Sequence, residues 1–377
     1  MIIKRFLLEN FRNYVCAAFE LSPNTNVIYG ENAQGKTNLL EAIYYLASGK
    51  SFRNSKDREL IRHGSDHAVI NADMETPDLE YSLQAELFTG KRRKFIVNGV
   101  DVKTAGEISG RLRAVLFSPE DLYLVRDGAA ARRKFMDAAF SQLRPNYAQL
   151  LAKYNRLHEH KTRILRDWKE KPALLEALPT FNLQIAEVGA LLIGYRARFL
   201  DKITICASQI HKEISGNREV LSFRYKTVST IDDPFESPER LRDKILLHMK
   251  THREAELAAG SALSGPHKDD LEIYIDGQPA KSYASQGQTR TAALSLKMAE
   301  RELFRIDSGV NPVLLLDDVL SELDERRRDY VLNRISDGQV IITLCNGSQQ
   351  EFCSGRSFEI VSGSIKSQTD AGIGNVE

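Results

Sequence analysis

The segment Gly30-Glu31-Asn32-Ala33-Gln34-Gly35-Lys36-Thr37 constrains this chain more than any other feature. It fits G-x-x-x-x-G-K-[ST], with apolar Val27-Ile28-Tyr29 before it and apolar residues at helical spacing (Leu39, Leu40, Ile43, Leu46) after it. Glycines let the backbone fold back so that successive N–H groups converge on phosphate oxygens, and the following helix adds its positive end. Lys36 is then placed to reach the β- and γ-phosphates, and the Thr37 hydroxyl to ligate Mg²⁺. The plain alternative is a glycine-rich turn before an ordinary helix. The strand–loop–helix context instead predicts a site for ATP and Mg²⁺ that contains Gly30, Asn32, Gly35, Lys36, Thr37 and the adjoining Asn38. Asn32 is able to lean over the γ-phosphate.

A second element completes such a site. Pro312-Val313-Leu314-Leu315-Leu316-Asp317-Asp318 reads as an apolar strand ending in two carboxylates. It delivers acids to the C-terminal edge of a sheet, where Mg²⁺ and the attacking water of phosphoryl transfer sit. Asp317 is expected to hold Mg²⁺ through water, and Asp318 to orient or deprotonate the nucleophile. Lys36 and Asp318 are therefore the candidate catalytic residues. A strand end capped by two solvated acids is the plain reading, and the phosphate loop weighs against it.

The rest of the pattern places these motifs. A chain of 377 residues, at about 150 per domain, holds two to three domains or one large domain with an insertion. Ile2–Leu8 reads as a strand, Pro23–Asn26 as a turn and Val27–Tyr29 as a buried strand. Short strands follow at Ala68–Met74, Glu80–Leu87, Lys94–Val97 and Arg113–Phe117, with hairpin tips at Thr89-Gly90 and Asn98-Gly99. From Asp121 to about Glu213 the periodicity is helical, as in Tyr147, Leu150, Leu151, Tyr154 and Leu157, and a second helical stretch covers Pro238 to Ala259. Strands return at Leu271–Ile275, Val313–Leu316 and Val340–Leu344, with a helix over Thr289–Phe304. The pattern predicts an α/β domain, residues 1–120 together with 260–377, split by a helical insertion over 121–259. Ser367–Glu377 is small and polar and is expected to fray.

Composition excludes several classes. The formal charge is +1, so polyanion binding must come from local clusters. The longest uninterrupted apolar runs, such as Val313–Leu316, fall far below the roughly 18 residues of a membrane span. Glu9 and Arg12 interrupt the N-terminus where a signal peptide would be apolar. Cys16, Cys206, Cys345 and Cys353 include no C-x-x-C pair and no histidine at zinc-ligand spacing. That argues against a disulfide scaffold or zinc module, and for a cytoplasmic protein with reduced thiols.

Ser285-Gln286-Gly287-Gln288, just before the Thr289–Phe304 helix, and Ser321-Glu322-Leu323-Asp324, soon after Asp318, resemble the signature motif and D-loop of the ABC-type ATPases. That group includes the SMC-like chromosome proteins. In isolation Ser285–Gln288 reads as a helix N-cap, but its place between the two nucleotide motifs favours the signature. The resemblance implies that Ser285, Gly287 and Gln288 bind the γ-phosphate held by a second subunit, so that ATP joins two copies. Some residues depart from the pattern. No histidine follows Val340–Leu344, where a transporter ATPase carries a switch residue; Thr343 or Asn346 occupies that region. The usual lobe-junction Gln is not evident in Phe117-Ser118-Pro119-Glu120-Asp121-Leu122. Asp318 is one methylene shorter than the usual Glu, which predicts slow turnover.

Further segments narrow the resemblance: Leu7-Leu8-Glu9-Asn10-Phe11-Arg12-Asn13-Tyr14, Leu116–Leu122, Arg132-Arg133-Lys134-Phe135-Met136-Asp137 and Ser264-Gly265-Pro266-His267-Lys268-Asp269-Asp270-Leu271. With the motifs above, the chain is similar over essentially its whole length to the RecF family of bacterial recombination mediators. Phe52 stands where His is expected, and Lys268 where Arg is commoner. The resemblance implies an ABC/SMC-head-like ATPase domain, with mixed sheets around the phosphate-loop helix and a helical insertion lobe. It implies ATP-dependent homodimerisation, weak DNA-stimulated hydrolysis, and binding to duplex DNA near single/double-strand junctions. The implied role is repair of single-strand gaps and stalled forks within the SOS response, helping RecA loading with RecR and RecO.

The alternatives are an ABC-type ATPase subunit coupled to a transporter, or another SMC-like tethering complex. The missing switch histidine and the basic insertion argue against the first. The insertion, about 140 residues without sustained a/d heptads, argues against a long-armed tether. Two basic clusters are candidates for DNA phosphates: Lys91-Arg92-Arg93-Lys94, and Arg126–Lys171 with twelve Arg/Lys against five Asp/Glu. Solvated faces are the plain reading; doubling across a dimer favours DNA, held through its backbone with steep salt dependence. His267 beside Asp269 and Asp270 admits a metal reading, but a structural or interface role is preferred. Trp168 is expected to anchor the insertion helices.

Overall fold

The computed structural model describes residues 1–102, 105–108, 110–335, 337–345 and 355–370. Its contacts divide the chain into two compact units, unit 1 being Met1–Leu122 with Leu294–Glu377 and unit 2 Tyr123–Ala293.

Unit 1 begins with a hairpin of β1 (Ile2–Phe11) and β2 (Tyr14–Glu20), then β3 (Thr25–Tyr29), the glycine loop and α1 (Lys36–Ser48). α2 (Asp57–Leu60), β4 (His67–Glu75), β5 (Glu80–Phe88), β6 (Lys94–Val97), β7 (Val100–Val102), α3 (Ala105–Ile108) and β8 (Ala114–Phe117) follow. The first sheet has the order β2-β1-β4-β5-β6-β7 and is antiparallel. Its strands alternate as one-sided packing requires: in β4, Ala68, Ile70, Ala72 and Met74 are buried while His67 and Asp73 face out. Asn98 and Gly99, at φ 50° and 78°, form the tight turn between β6 and β7.

Unit 2 holds α4 (Ala129–Leu143), α5 (Pro145–Asp167), α6 (Leu178–Ser215), β9 (Leu221–Lys226), α7 (Pro238–Thr251), α8 (Arg253–Ala259), β10 (Asp270–Ile275), β11 (Gln278–Pro279), α9 (Ala280–Tyr283) and the first turns of α10 (Gln286–Ser308). The expected boundary at residue 260 moves to Ala293/Leu294. The reason is β-pairing: all six residues of β10 pair antiparallel with β9, a strand inside the stretch expected to be helical. The helical stretch expected over Pro238–Ala259 breaks at His252, where φ −102° and ψ 10° depart from helix. Trp168 anchors as expected, donating its indole N–H to the Leu257 carbonyl at 3.3 Å. The apolar-run argument against membrane length needs correcting too. The helical stretch Pro172–Ser215 contains a window of mean hydropathy 1.3, long and apolar enough to cross a membrane, half of it buried inside the molecule. α5, α7 and β9 cover α6.

The chain returns to unit 1 with β12 (Val313–Asp317), α11 (Glu325–Arg334), β13 (Val340–Leu344), β14 (Gly355–Val361) and β15 (Ser364–Asp370). Ser367–Asp370, expected to fray, belongs to β15; residues 371–377 lie outside the described residues. The second sheet runs β15-β14-β3-β13-β12-β8, parallel from β14 to β8, with β15 antiparallel at one edge. Every residue of β8, β12 and β13 is buried, as expected of parallel strands covered on both faces. Helix α1 touches β5 of the first sheet and β8, β12 and β13 of the second. It therefore lies between the sheets, and Leu39, Leu40, Ile43 and Leu46 join one core with β1, β4, β5 and β12. Because β3 and β12 flank β13 in parallel, the glycine loop and the Asp317-Asp318 pair leave the sheet at the same edge.

Candidate nucleotide site

The loop between β3 and α1 takes its shape from its glycines. Gly30 sits at φ 149° and Gly35 at φ 119°. A Cβ on Gly30 would lie 2.4 Å from the Ile360 carbonyl oxygen, and one on Gly35 would lie 2.7 Å from the Asn13 side-chain amide. Both positions therefore require glycine. α1 has no side-chain cap at its N-terminus, so no N-cap side chain competes with an anion for its first-turn N–H groups. Lys36 Nζ donates to the Gly30 and Glu31 carbonyls at 2.6 and 2.9 Å, folded over the loop's own backbone.

The two acids arrive from β12. Thr37 Oγ1 donates to Asp317 Oδ1 at 2.9 Å, across 280 residues of sequence. Thr343, the β13 residue in register with Asp317, donates to the same oxygen at 3.0 Å. Burial pushes the Asp317 carboxyl above its ordinary value, against the lowering effect of these two hydroxyls. A divalent cation would reverse that shift, and Thr37 and Asp317 offer the hard oxygen ligands that Mg²⁺ takes. Asp318 follows at φ 54°, a left-handed conformation that Asp tolerates. Its N–H donates to Thr343 Oγ1 at 2.9 Å. Gly30, Asn32, Gly35, Lys36, Thr37, Asp317 and Asp318 are thus gathered at one sheet edge.

Several residues here had no assigned role in the sequence reading. Asn13 Nδ2 donates to the Gln34 carbonyl (2.8 Å) and Tyr14 OH to the Gly35 carbonyl (3.0 Å), clamping the loop from the β1–β2 turn. Arg12 donates through Nε and Nη2 to the two Glu41 oxygens at 2.9 and 2.8 Å. Asn38, expected at the nucleotide, is held between Asn13 (2.8 Å) and Arg53 (3.1 Å). An open cleft of ≈ 690 Å³ adjoins this turn, lined by Arg12, Asn13, Asn38, Arg58 and Arg62 among others. The signal available in the sequence was the clustering of Arg12, Asn13 and Tyr14 ahead of the loop. The position after β13 is held by Cys345; Asn346 lies outside the described residues.

The signature candidates belong to unit 2, not to the unit that carries the loop. Ser285 Oγ accepts from Gln288 N at 3.2 Å while Gln288 Oε1 accepts from Ser285 N at 2.9 Å. This is a reciprocal capping box, so the N-cap reading set aside from sequence is what the single chain adopts. Gly287 lies half-buried in the same first turn of α10, beside exposed Ser285 and Gln286. His267 takes the structural role preferred for it. Its Nδ1 meets Tyr154 OH at 2.7 Å and its Nε2 the Ala262 carbonyl at 3.0 Å, and burial, with His158 beside it, depresses its pKa to about 3. Asp269 and Asp270 are paired with Arg196 and Arg132, each at 2.7 Å.

Both basic clusters are partly answered from within. Arg93 pairs with Asp57 at 3.2 Å and lies over the Phe95 ring, and Lys94 stands 3.6 Å from Asp101. In the insertion, Arg132 pairs with Asp270, Lys161 with Glu256 at 2.7 Å and Arg163 with Glu159 at 2.5 Å. Lys153 and Arg156 remain exposed on one face of α5.

A family model described as the RecF/RecN/SMC N-terminal domain matches residues 2–360. The DNA replication and repair protein RecF of Agathobacter rectalis is 40% identical over 370 residues, covering 97% of this chain and 99% of that protein. The RecF of Acetivibrio thermocellus is 35% identical over 358 residues, covering 95% and 96%. Among solved structures, the recombination mediator protein RecF-ATPrS of the RecFOR pathway matches with a TM-score of 0.90 at 35% identity over 97% of both chains. An Smc head domain from Pyrococcus furiosus matches at 0.54 and 17% identity over 98% of this chain and 96% of its own, a likeness of fold.

Proposed function

The chain belongs to the RecF family within the RecF/RecN/SMC group, and from that premise we propose that it is an ATP-dependent DNA-binding switch of replication and repair. The observation that carries the reading is the 2.9 Å contact between Thr37 Oγ1 and Asp317 Oδ1, which joins phosphate loop and strand-end acid in one site.

ATP is held by the Gly30–Thr37 backbone, and the adjoining arginine-lined cleft has the volume to receive the nucleoside. Lys36 leaves the loop carbonyls for the β- and γ-phosphate oxygens, a charge-assisted contact stronger than the one it gives up. Thr37 and Asp317 would hold Mg²⁺, which supplies charge neutralisation at the phosphates when bound. Asp318 orients the attacking water and accepts its proton. Its short side chain and left-handed backbone make turnover slow, so that hydrolysis acts as a timer. Ser285, Gly287 and Gln288 of a second copy cover the γ-phosphate, turning the capping box toward a ligand. ATP thereby closes a homodimer over duplex DNA near a single/double-strand junction, and DNA stimulates the slow hydrolysis that reopens it. The relatives' names, a DNA replication and repair protein and a recombination mediator of the RecFOR pathway, support a role in repair, and the family resemblance extends it to cytoplasmic repair of gaps and stalled forks with RecR, with RecO and RecA downstream.

Sedimentation of wild type and Ser285→Arg, with and without ATP and a DNA duplex, tests the reading. Wild type should dimerise with ATP and engage the duplex, while Ser285→Arg binds a fluorescent ATP analogue normally and stays monomeric. A wild type that remains monomeric with ATP, or a Ser285→Arg that dimerises as well as wild type, would overturn it.

A further inference from the structure

The end of β13 carries an arrangement that the proposed reaction does not explain. Alternate residues of a strand share a face, and Thr343 and Cys345 both meet the paired acids of β12. Thr343 is fully buried and sets the backbone, donating to Asp317 and accepting from the Asp318 N–H. Cys345 continues the row at the exposed end: its Sγ lies 2.9 Å from Asp318 Oδ2 and 3.1 Å from Asn32 Oδ1. One thiol proton cannot serve both oxygens at once, and a carboxylate is the better acceptor. Cys345 therefore donates to Asp318 and keeps Asn32, on the phosphate loop, within exchange distance. The backbone of Asp318 is fixed by its N–H bond and its left-handed turn, but those leave the carboxylate free to rotate. The thiol removes that freedom.

We propose that Cys345 is a positioning residue for hydrolysis: its thiol, set between Asn32 of the loop and Asp318 at the end of β12, holds the Asp318 carboxylate in the orientation that meets the attacking water. This rests on Asp318 being the acid that handles water. The neighbouring Asp318 also pushes the thiol's titration upward, which keeps the donor protonated. In the region where a transporter ATPase carries its switch histidine, Thr343 thus supplies a hydroxyl that sets the backbone and Cys345 a thiol that sets the side chain.

The test uses the full chain and three variants: Cys345→Ala, Cys345→Ser and Asp318→Asn, each assayed for ATP turnover and for binding of a fluorescent ATP analogue. Cys345→Ala should lower kcat about fivefold with KM and nucleotide affinity unchanged, the scale expected for losing a weak donor to an ionised acceptor. Cys345→Ser, which restores a donor, should recover at least about half of the wild-type rate. Methylthiolation of the folded wild type blocks the same donor without refolding and should lower kcat at least as far as Cys345→Ala, while the kcat of Cys345→Ser, in which the reagent meets only the other cysteines such as exposed Cys16, should be insensitive to it. Asp318→Asn separates the two levels. If it turns over like wild type, the role of Asp318 fails and this proposal with it. If Asp318→Asn is inactive while Cys345→Ala keeps full kcat, or Cys345→Ser falls as far as Cys345→Ala, the positioning role alone is overturned.

Discussion

Replacing Arg12 by alanine tests how the phosphate loop and its helix are held. Arg12 grips both oxygens of Glu41, whose side chain has no solvent exposure, while Arg12 itself keeps 20%. Ser51 Oγ donates to Glu41 at 2.5 Å, and Arg53 stands 4.0 Å away. Arg12→Ala strands the carboxylate, and breaking one side of a buried pair costs about 3–5 kcal/mol. The Ser51 bond survives and Arg53 can move in, so the expected loss is at the lower end, about 3 kcal/mol. Neutralising the stranded group in Arg12→Ala/Glu41→Gln should recover about half of that, a coupling that a double-mutant cycle reads directly. Urea unfolding followed by far-UV circular dichroism gives the stability of unit 1. Trp168, the chain's single tryptophan, lies in unit 2, and its emission is the internal reference. Two units need not unfold as one, so the shift is sought in the component that Trp168 does not follow. A loss under about 1 kcal/mol, no more than exposed ion pairs contribute, would refute the reasoning. So would a double variant no more stable than Arg12→Ala.

Lys36→Arg should abolish phosphate release yet keep ATP-driven dimerisation in sedimentation, whereas Lys36→Met should lose both, because only a cation at that position holds the triphosphate. Lys153→Glu and Arg156→Glu, on the exposed face of α5, should each weaken duplex binding about tenfold and reduce its salt slope by about one ion, measured by fluorescence anisotropy across salt concentrations. His267 predicts an acid limb for unit 2. Its pKa in the fold is about 3 against an ordinary 6.5, so the unfolded chain binds more protons between those values. Stability present above the ordinary histidine pKa is then lost as pH falls through that window, by up to about 1.4 kcal/mol per pH unit. His267→Gln should remove that slope from urea unfolding followed by Trp168 emission.

The β-hairpin strands from Ala68 to Val97, the two acid-bearing and loop-bearing strands, and the helical character of the insertion were all readable from periodicity. β2, β7, β9, β11, β14 and β15 were not. The β9 residues alternate (Leu221 buried, Arg224 exposed), but six residues amid long helices carry little weight until β10 appears as a partner. The same pairing moves the boundary from residue 260 to 293. The basic stretch Arg126–Lys171 was a candidate for DNA phosphates on its charge count, and charge counts ignore distant partners. Arg132 meets Asp270 across 138 residues, and Arg196, two helices away in sequence, is enclosed by Asp137 and Asp269.

The amino-acid order alone determined the loop. A peptide that needs φ near 149° and 119° at two positions accepts glycine there, and the residues proposed to contact phosphate follow within the same turn. Its residue pattern is contiguous, so a short segment suffices to recognise it, although Asn13, Tyr14 and Ile360 also shape its backbone. Only the tertiary structure decided which side chains stand around it. Strand order β3-β13-β12 brings Thr343 opposite Asp317 and Cys345 against Asp318. From the turn of a different sheet, Asn13 reaches the loop and Arg12 reaches Glu41 on the helix that follows it. Such contacts depend on which strands pair and in what register, a choice made by burial over the whole core.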